Sequence, residues 1–145
     1  MMHPLNSKEK RSLLKQMDDQ WGFKGRLSSL YMNKEGRIYE STAEPLDGLR
    51  IETAGNYIAK QQIDGLSLSI EGSQLIGPTA TKNVVEIDAI SAKAWMNGQD
   101  IEGQGQGYVI IRYQDDFLGS GKASDGKILN RIPKIRRLST TEMII

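Results

Sequence analysis

Residues 107–137 read GYVIIRYQDDFLGSGKASDGKILNRIPKIRR, and the opening run of this stretch decides the fold. Tyr108, Ile110 and Arg112 alternate with Val109, Ile111 and Tyr113, so neither face is strictly polar. A run this rich in β-branched and aromatic residues predicts a strand buried largely on both sides. Asp115-Asp116 suits a tight reversal, after which Phe117-Leu118 opens the returning strand. Within that strand Gly119 and Gly121 flank Ser120, where missing side chains allow a bulge or a close backbone approach. Asp125-Gly126 is a second hairpin signal. The last limb, Lys127 to Arg137, carries one cation after another, so the expectation is a small sheet that ends in a basic edge opened by glycine.

Charge is segregated along the 145 residues although the net value is only +1. Residues 1–34 hold seven Lys/Arg against three Asp/Glu, residues 35–116 six against thirteen, and residues 117–145 six against two. Two cationic ends around an acidic middle point to a polyanion partner if the ends fold to one side. Cations at irregular spacing beside glycines suit an RNA backbone, because guanidinium forks and backbone N–H groups bond phosphate oxygens. The candidate RNA-binding residues are therefore Lys122, Lys127, Asn130, Arg131, Lys134, Arg136 and Arg137. Asn130 has a side chain that reads a base edge or a 2′-hydroxyl, or else holds the loop before Pro133. Tyr108 and Tyr113 are able to stack bases, but their strand position favours core packing.

The residues that surround this limb carry a resemblance. Met96-Asn97-Gly98-Gln99-Asp100-Ile101, then Gly107-Tyr108-Val109, then Leu118-Gly119-Ser120-Gly121-Lys122 occur in that order. They continue through Asp125-Gly126-Lys127, Asn130, Pro133-Lys134 and Arg136-Arg137. This pattern resembles the PUA-like RNA-binding region at the C-terminus of the Fmu/Sun-type rRNA cytosine-C5 methyltransferases, from about Val84 to Leu138. It departs from that family at Leu129, where a cation is expected before the asparagine, and no methyltransferase domain is expected in these residues. The resemblance implies a PUA-like β pseudobarrel that docks structured RNA, rRNA or tRNA, through its basic edge.

Ahead of it, Asn6 or Ser7 caps a helix with Glu9 in its first turn, and Leu13, Leu14, Met17 and Trp21 form one apolar stripe that ends at Gly22. Trp21 continues the stripe and is read as core. Met1 to Leu5 reads as a loose terminus. Strands follow over 26–33 and 37–41 with Asn33-Lys34-Glu35-Gly36 between them, then over 49–60 with a break near Ala54-Gly55. Leu66 to Ile70 alternates cleanly, and Ser69 caps a short helix stopped by Gly77-Pro78. This half resembles the pre-PUA domain of certain ribosome-biogenesis factors, chiefly over Gly48-Leu49 to Gly55 and Leu66 to Leu75. Gly77-Pro78-Thr79-Ala80-Thr81 has a linker-like composition. The division is 1–78, a pre-PUA-like α+β domain, and 79–145, a PUA-like RNA-binding domain. Asn83 to Ile87 enters the second unit as a strand, Asp88 caps a helix with Ile87, Ile90, Ala94 and Trp95 on its buried side, and Asn97-Gly98 closes it.

Catalytic chemistry finds little support. There is no cysteine, which removes the thiolate nucleophile that cytosine-C5 methyl transfer uses, along with disulfides and thiolate metal sites. His3 is the one histidine and lies at the terminus, so no Ser–His–Asp set can be assembled. Asp18-Asp19 and Asp115-Asp116 read as solvated caps and turns rather than Mg²⁺ pairs. Gly103 to Gly107 leads into a strand and lacks the Lys and Ser/Thr of a phosphate loop. The chain thus reads as an α+β, non-catalytic RNA-binding protein of the cytoplasm, without cofactor, metal or membrane segment. It would act in ribosome biogenesis or RNA modification, with an RNA methyltransferase or ribosomal proteins as further partners. The alternative is a protein–protein adaptor in ribosome assembly that uses the acidic middle segment.

Overall fold

The computed structural model describes residues 2–41, 56–134 and 137. Residues 42–48 between two of the expected strands, the strand residues before Asn56, and Arg136 lie outside the described residues. Among the described residues, two mostly antiparallel five-stranded sheets and three α-helices give an α+β architecture. The first sheet runs β1 (His3–Pro4), β2 (Ser29–Met32), β3 (Arg37–Ser41), β4 (Asn56–Gln62) and β5 (Gly65–Leu68), in that spatial order. The second is built from β6 (Val84–Glu86), β7 (Ile101–Glu102), β8 (Tyr108–Tyr113), β9 (Asp116–Ser124) and β10 (Lys127–Leu129), in the order β6-β8-β9-β10-β7. Among the described residues only β6 and β8 pair in parallel.

Short-range signals set the helix boundaries. Helix α1 (Ser7–Trp21) starts at a capping box: the Asn6 side chain accepts from the Glu9 N–H at 2.8 Å, and Glu9 accepts from the Asn6 N–H at 3.1 Å. It stops at Gly22, whose φ of 69° an L side chain rarely adopts. Ser69 caps α2 (Ile70–Ile76) and Asp88 caps α3 (Ala89–Met96), each through its side-chain oxygen. At the β9–β10 turn both Asp125 and Gly126 have positive φ, the geometry that suits a two-residue hairpin. The β8–β9 reversal falls one residue earlier than Asp115-Asp116, because Asp116 already pairs with Tyr113 and Gln114 carries the positive φ.

Strand β8 is shared by two cores. Tyr108 and Ile110 join Leu13, Met17 and Trp21 of α1, the inner face of the first sheet, and Phe117. Val109 and Ile111 face the other way, onto Trp95, Ile101, Ile128 and Ile132. The period-2 geometry of a strand thus turns one apolar run into the wall of both cores.

The glycines of β9 serve this packing, which corrects the expectation that they open an edge to phosphate. Gly119, Ser120 and Gly121 are all buried. The Gly119 N–H donates to the Ser73 hydroxyl of α2 at 2.8 Å, and Ser120 Oγ accepts from the Leu68 N–H at 2.8 Å. A Cβ on Gly121 would lie 2.5 Å from Trp95. The rim is therefore covered by α2 and β5 on one side and filled by Trp95 on the other. Two further expectations are corrected. Ile90 is 81% exposed, because Ala92 and Trp95, three residues apart, define the buried side of α3 and leave Ile90 pointing away from it. His3 and Pro4 pair with Met32 and Tyr31 as an edge strand, where the sequence read as a loose terminus.

Candidate nucleic-acid interface

The first and second sheets meet along β5, α2, β8 and β9, and the polar groups at this seam are fully specified. Trp21 Nε1 donates to the Tyr108 carbonyl at 2.9 Å, and the Trp21 carbonyl accepts from the Thr81 N–H at 2.8 Å. The Asn83 amide donates to the Gln20 carbonyl at 2.7 Å. Gly77, in the segment with linker-like composition, is buried against the ring of Phe117. Positions contributed by one half are consequently fixed with respect to those of the other, as a composite binding surface requires.

The turn between β4 and β5 stands at the outer end of this seam, beside the cationic limb. Asp64 accepts a hydrogen bond from the Tyr108 hydroxyl at 2.8 Å and forms an ion pair with Lys122. The Lys122 ammonium and the Arg131 guanidinium carbon each lie 5.8 Å from the centroid of the Tyr108 ring. Both distances suit a cation on an aromatic face. Lys122 is thus already neutralised by Asp64. Arg131 is exposed, and among the described residues no carboxylate or hydrogen-bond acceptor engages its guanidinium.

The remaining candidates separate into free and committed groups. Lys127 and Lys134 are exposed. Lys127 sits across from Glu102 in the β10–β7 register. Arg137 folds back, with Nε donating to the Ile132 carbonyl at 3.0 Å and its side chain against Gly98. Asn130 bridges three segments: its amide donates to the carbonyls of Trp95 at 2.8 Å and Gln99 at 3.0 Å, and its Oδ1 accepts from the Ile132 N–H at 2.8 Å. Its own N–H donates to Asp100 at 2.7 Å. The structure therefore brings Lys122 and Arg131 together, leaves Lys127 and Lys134 open to solvent, and uses Asn130 and Arg137 to hold the C-terminal limb on the second sheet.

Sequence reasoning missed the groups that face this limb from the first sheet. Tyr57, Lys60, Gln62 and Ser67 line a cleft of about 220 Å³ together with Arg131 and Pro133. Lys60 pairs in register with Arg37, so both project from one face of the sheet. The Arg37 guanidinium carbon is 5.8 Å from the Tyr57 ring centroid, and Tyr39 lies 5.6 Å from the same ring, tilted by 47°. Burial pushes the Tyr57 phenol up, against the opposing effect of Arg37. Tyr57 and Lys60, three positions apart, would fall on opposite faces of a regular strand and share one only through the register shift between Ile38 and Tyr39. The one signal in the sequence was therefore a lone cation near an aromatic residue. The thirteen acids counted over 35–116 obscured it, since that total does not record which side each group faces.

The N-terminal cations are partly spent. Lys15 pairs with Asp19 and Lys24 with Asp18, each at 2.9 Å, and the Asp19 carboxylate raises the Lys15 ammonium above its ordinary value. Lys8 lines a cleft of about 480 Å³ together with Gln61. The Gln61 amide in turn contacts the carbonyls of Gln62 and Gly65 in the Asp64 turn. The start of α1 and the C-terminal limb therefore both border the β4–β5 turn. Among the described residues no cluster of three His, Asp or Glu side chains could hold a metal ion, and no helix is long and apolar enough to cross a membrane.

Residues 82–138 match the family model described as the methyltransferase RsmF PUA domain. Among curated relatives, the small-subunit rRNA methyltransferase F of Vibrio cholerae is 34% identical over 101 residues, 67% of this chain and 21% of the relative. The Vibrio vulnificus protein of the same name is 32% identical over 100 residues, 67% of this chain and 21% of the relative. The Aeromonas salmonicida protein is 29% identical over 135 residues, 90% of this chain and 28% of the relative. Similarity to the last extends well beyond the segment matched by the family model. The chain spans 21–28% of the length of these relatives.

Proposed function

We propose, from the premise that residues 82–138 belong to the methyltransferase RsmF PUA-domain family, that these 145 residues form a non-catalytic module that binds structured RNA. Ribosomal RNA is the first candidate and tRNA the second, in the cytoplasm, during ribosome biogenesis or RNA modification. The observation that carries this reading is a single cleft lined by Lys60, Arg131 and the aromatic residue Tyr57, both cations without an acidic partner among the described residues. Phosphate contacts of this kind supply most of the affinity of a protein for RNA, and flanking aromatic rings add stacking.

The non-catalytic part rests on side-chain chemistry. The chain has no cysteine, and His3 is exposed and 3.5 Å from Glu9, far along the chain from the cationic limb. In this reading methyl transfer belongs to a catalytic unit that the PUA region serves, and the 145 residues alone transfer no methyl group to rRNA.

The test is titration of fluorescent rRNA hairpins at several salt concentrations. Replacing Arg131 and Lys134 together by Ala should weaken binding to all sequences alike and reduce the salt slope by about two counterions or fewer. Unchanged affinity in that double variant would overturn the assignment of the surface.

A further inference from the structure

The cleft between the two sheets differs from a flat basic patch in having a floor, walls and a polar end. Its walls are Leu68, Ile70, Pro133 and the ring of Tyr57. Lys60 and Arg131 both line it, one from the first sheet and one from the limb after β10. Gln62 and Ser67 supply the polar end, where Gln62 Nε2 donates to Ser67 Oγ at 3.1 Å. That bond holds the Gln62 amide in one orientation. Its Oε1 and the second hydrogen on Nε2 remain without partners among the described residues. An adjacent donor and acceptor, fixed in a cleft with apolar walls, is the chemistry that recognises the edge of a nucleobase.

Size and access narrow the ligand further. A cavity of about 220 Å³ has room for one base and part of its sugar and none for a base pair. A second opening of about 290 Å³, lined by Gln62, Ile63, Asp64, Tyr108 and Arg131, adjoins it through the shared Gln62 and Arg131. The Asp64 carboxylate on that side is already paired with Lys122, so Arg131 is the one unpaired charge lining the second opening, whereas the first cleft has Lys60 as well. A strand whose base entered the first cleft would place its flanking phosphates at those two cations.

We propose that this cleft takes a single unpaired nucleotide of the bound RNA. The base lies between the Tyr57 and Pro133 walls, Gln62 contacts its edge, and Lys60 and Arg131 hold the phosphates on either side. The inference rests on the RNA-binding reading above and adds a subsite to it. Because the subsite is assembled from β4 and β5 of the first sheet and from the limb after β10, neither half alone has it.

The experiment compares three RNA hairpins of the same stem by fluorescence anisotropy: one fully paired, one with a single bulged nucleotide, and one with that bulge abasic. All four bases are tried in the bulge. The expected result is that the best bulged hairpin binds about tenfold more tightly than the paired and abasic ones, as insertion of one base between side chains delivers. Gln62→Ala should remove most of that preference while affinity for the paired hairpin stays the same. Thermal melting of the variant would confirm that it folds, and Lys60→Ala provides a second variant that should weaken the bulged hairpin most. Equal, salt-dependent binding of all three RNAs would overturn the nucleotide cleft and leave RNA binding intact. Failure of the wild-type chain to bind any of them would overturn both.

Discussion

The indole of Trp21, wholly buried, donates to the main-chain carbonyl of Tyr108 across 2.9 Å. This single bond joins the end of α1 to the strand that walls both cores, and the Trp21 carbonyl is itself occupied by Thr81. Replacement by Phe keeps an aromatic ring in the core and removes the donor, at a cost of about 1–3 kcal/mol for the bond and its abandoned partner. Because the seam links the two sheets, the loss should appear as a lower midpoint of one transition. Urea unfolding followed by far-UV circular dichroism and by fluorescence of the remaining Trp95 checks this. Two separated transitions, with only the first shifted, would show that the halves unfold independently.

Asp64 sets the charge available at the proposed RNA surface. It satisfies both the Tyr108 hydroxyl and Lys122, so the Lys122 charge is held locally instead of being offered to phosphate. Asp64→Asn preserves the shape and an acceptor for Tyr108 while it releases that charge. We expect tighter RNA binding with a salt slope steeper by about one counterion, together with weaker discrimination among RNAs, since the gain is electrostatic and independent of sequence. Lys122→Ala should have the smaller effect on affinity of the two cations near Tyr108, with Arg131→Ala the larger. Titrations at two salt concentrations separate them.

The acid limb of stability should report the helix caps. The N–H of Ser91 holds the Asp88 carboxyl below its ordinary value, and the Asn6 N–H does the same for Glu9. Both are lowered in the folded state, so their contribution is present above the unfolded values and is lost as pH falls through the folded ones, below about pH 4. Asp88→Asn keeps the cap and removes the titration. Its melting temperature should match that of the wild type near neutrality, and it should fall less steeply below about pH 4. A variant with an unchanged acid limb would show that other carboxylates dominate it.

Much of this architecture was legible because it is written in near neighbours. Asn6 with Glu9, Ser69 and Asp88 each announce a helix start within three or four residues, and Asp125-Gly126 announces a hairpin. The alternation of Tyr108 to Tyr113 showed two burial-competent faces, and the cores on either side use them as read. Relations across long separations were not legible. Lys122 was counted as a phosphate ligand because its partner Asp64 lies 58 positions away in the chain. Gly119 and Gly121 were read as openings because their sequence neighbours do not reveal that α2 and Trp95 press against them. Tyr57, Lys60 and Gln62 escaped notice for the same reason: their significance arises only when Arg131 and Pro133 close over them.

Asn130 offers a test that separates holding from reading. Its three side-chain hydrogen bonds tie the end of α3, the Gln99 loop and the start of the C-terminal limb. No side-chain donor is left over for a base, because both amide hydrogens are used on the two carbonyls. Asn130→Ala removes all three bonds. The Trp95 carbonyl keeps the Gly98 N–H and the exposed Gln99 carbonyl turns to water, but the part-buried Ile132 N–H loses its acceptor, so stability should fall by about 1–3 kcal/mol. The salt slope of RNA binding counts phosphate contacts alone, and it should be unchanged as long as the variant is assayed well below its melting temperature. Asn130→Asp keeps the acceptor for Ile132 but faces two carbonyls with a carboxylate, and it should be at least as destabilising as the Ala variant. Urea titration of both variants, paired with anisotropy at two salt concentrations, tests the assignment. A loss of RNA affinity in Asn130→Ala without loss of stability would make this side chain a direct RNA contact.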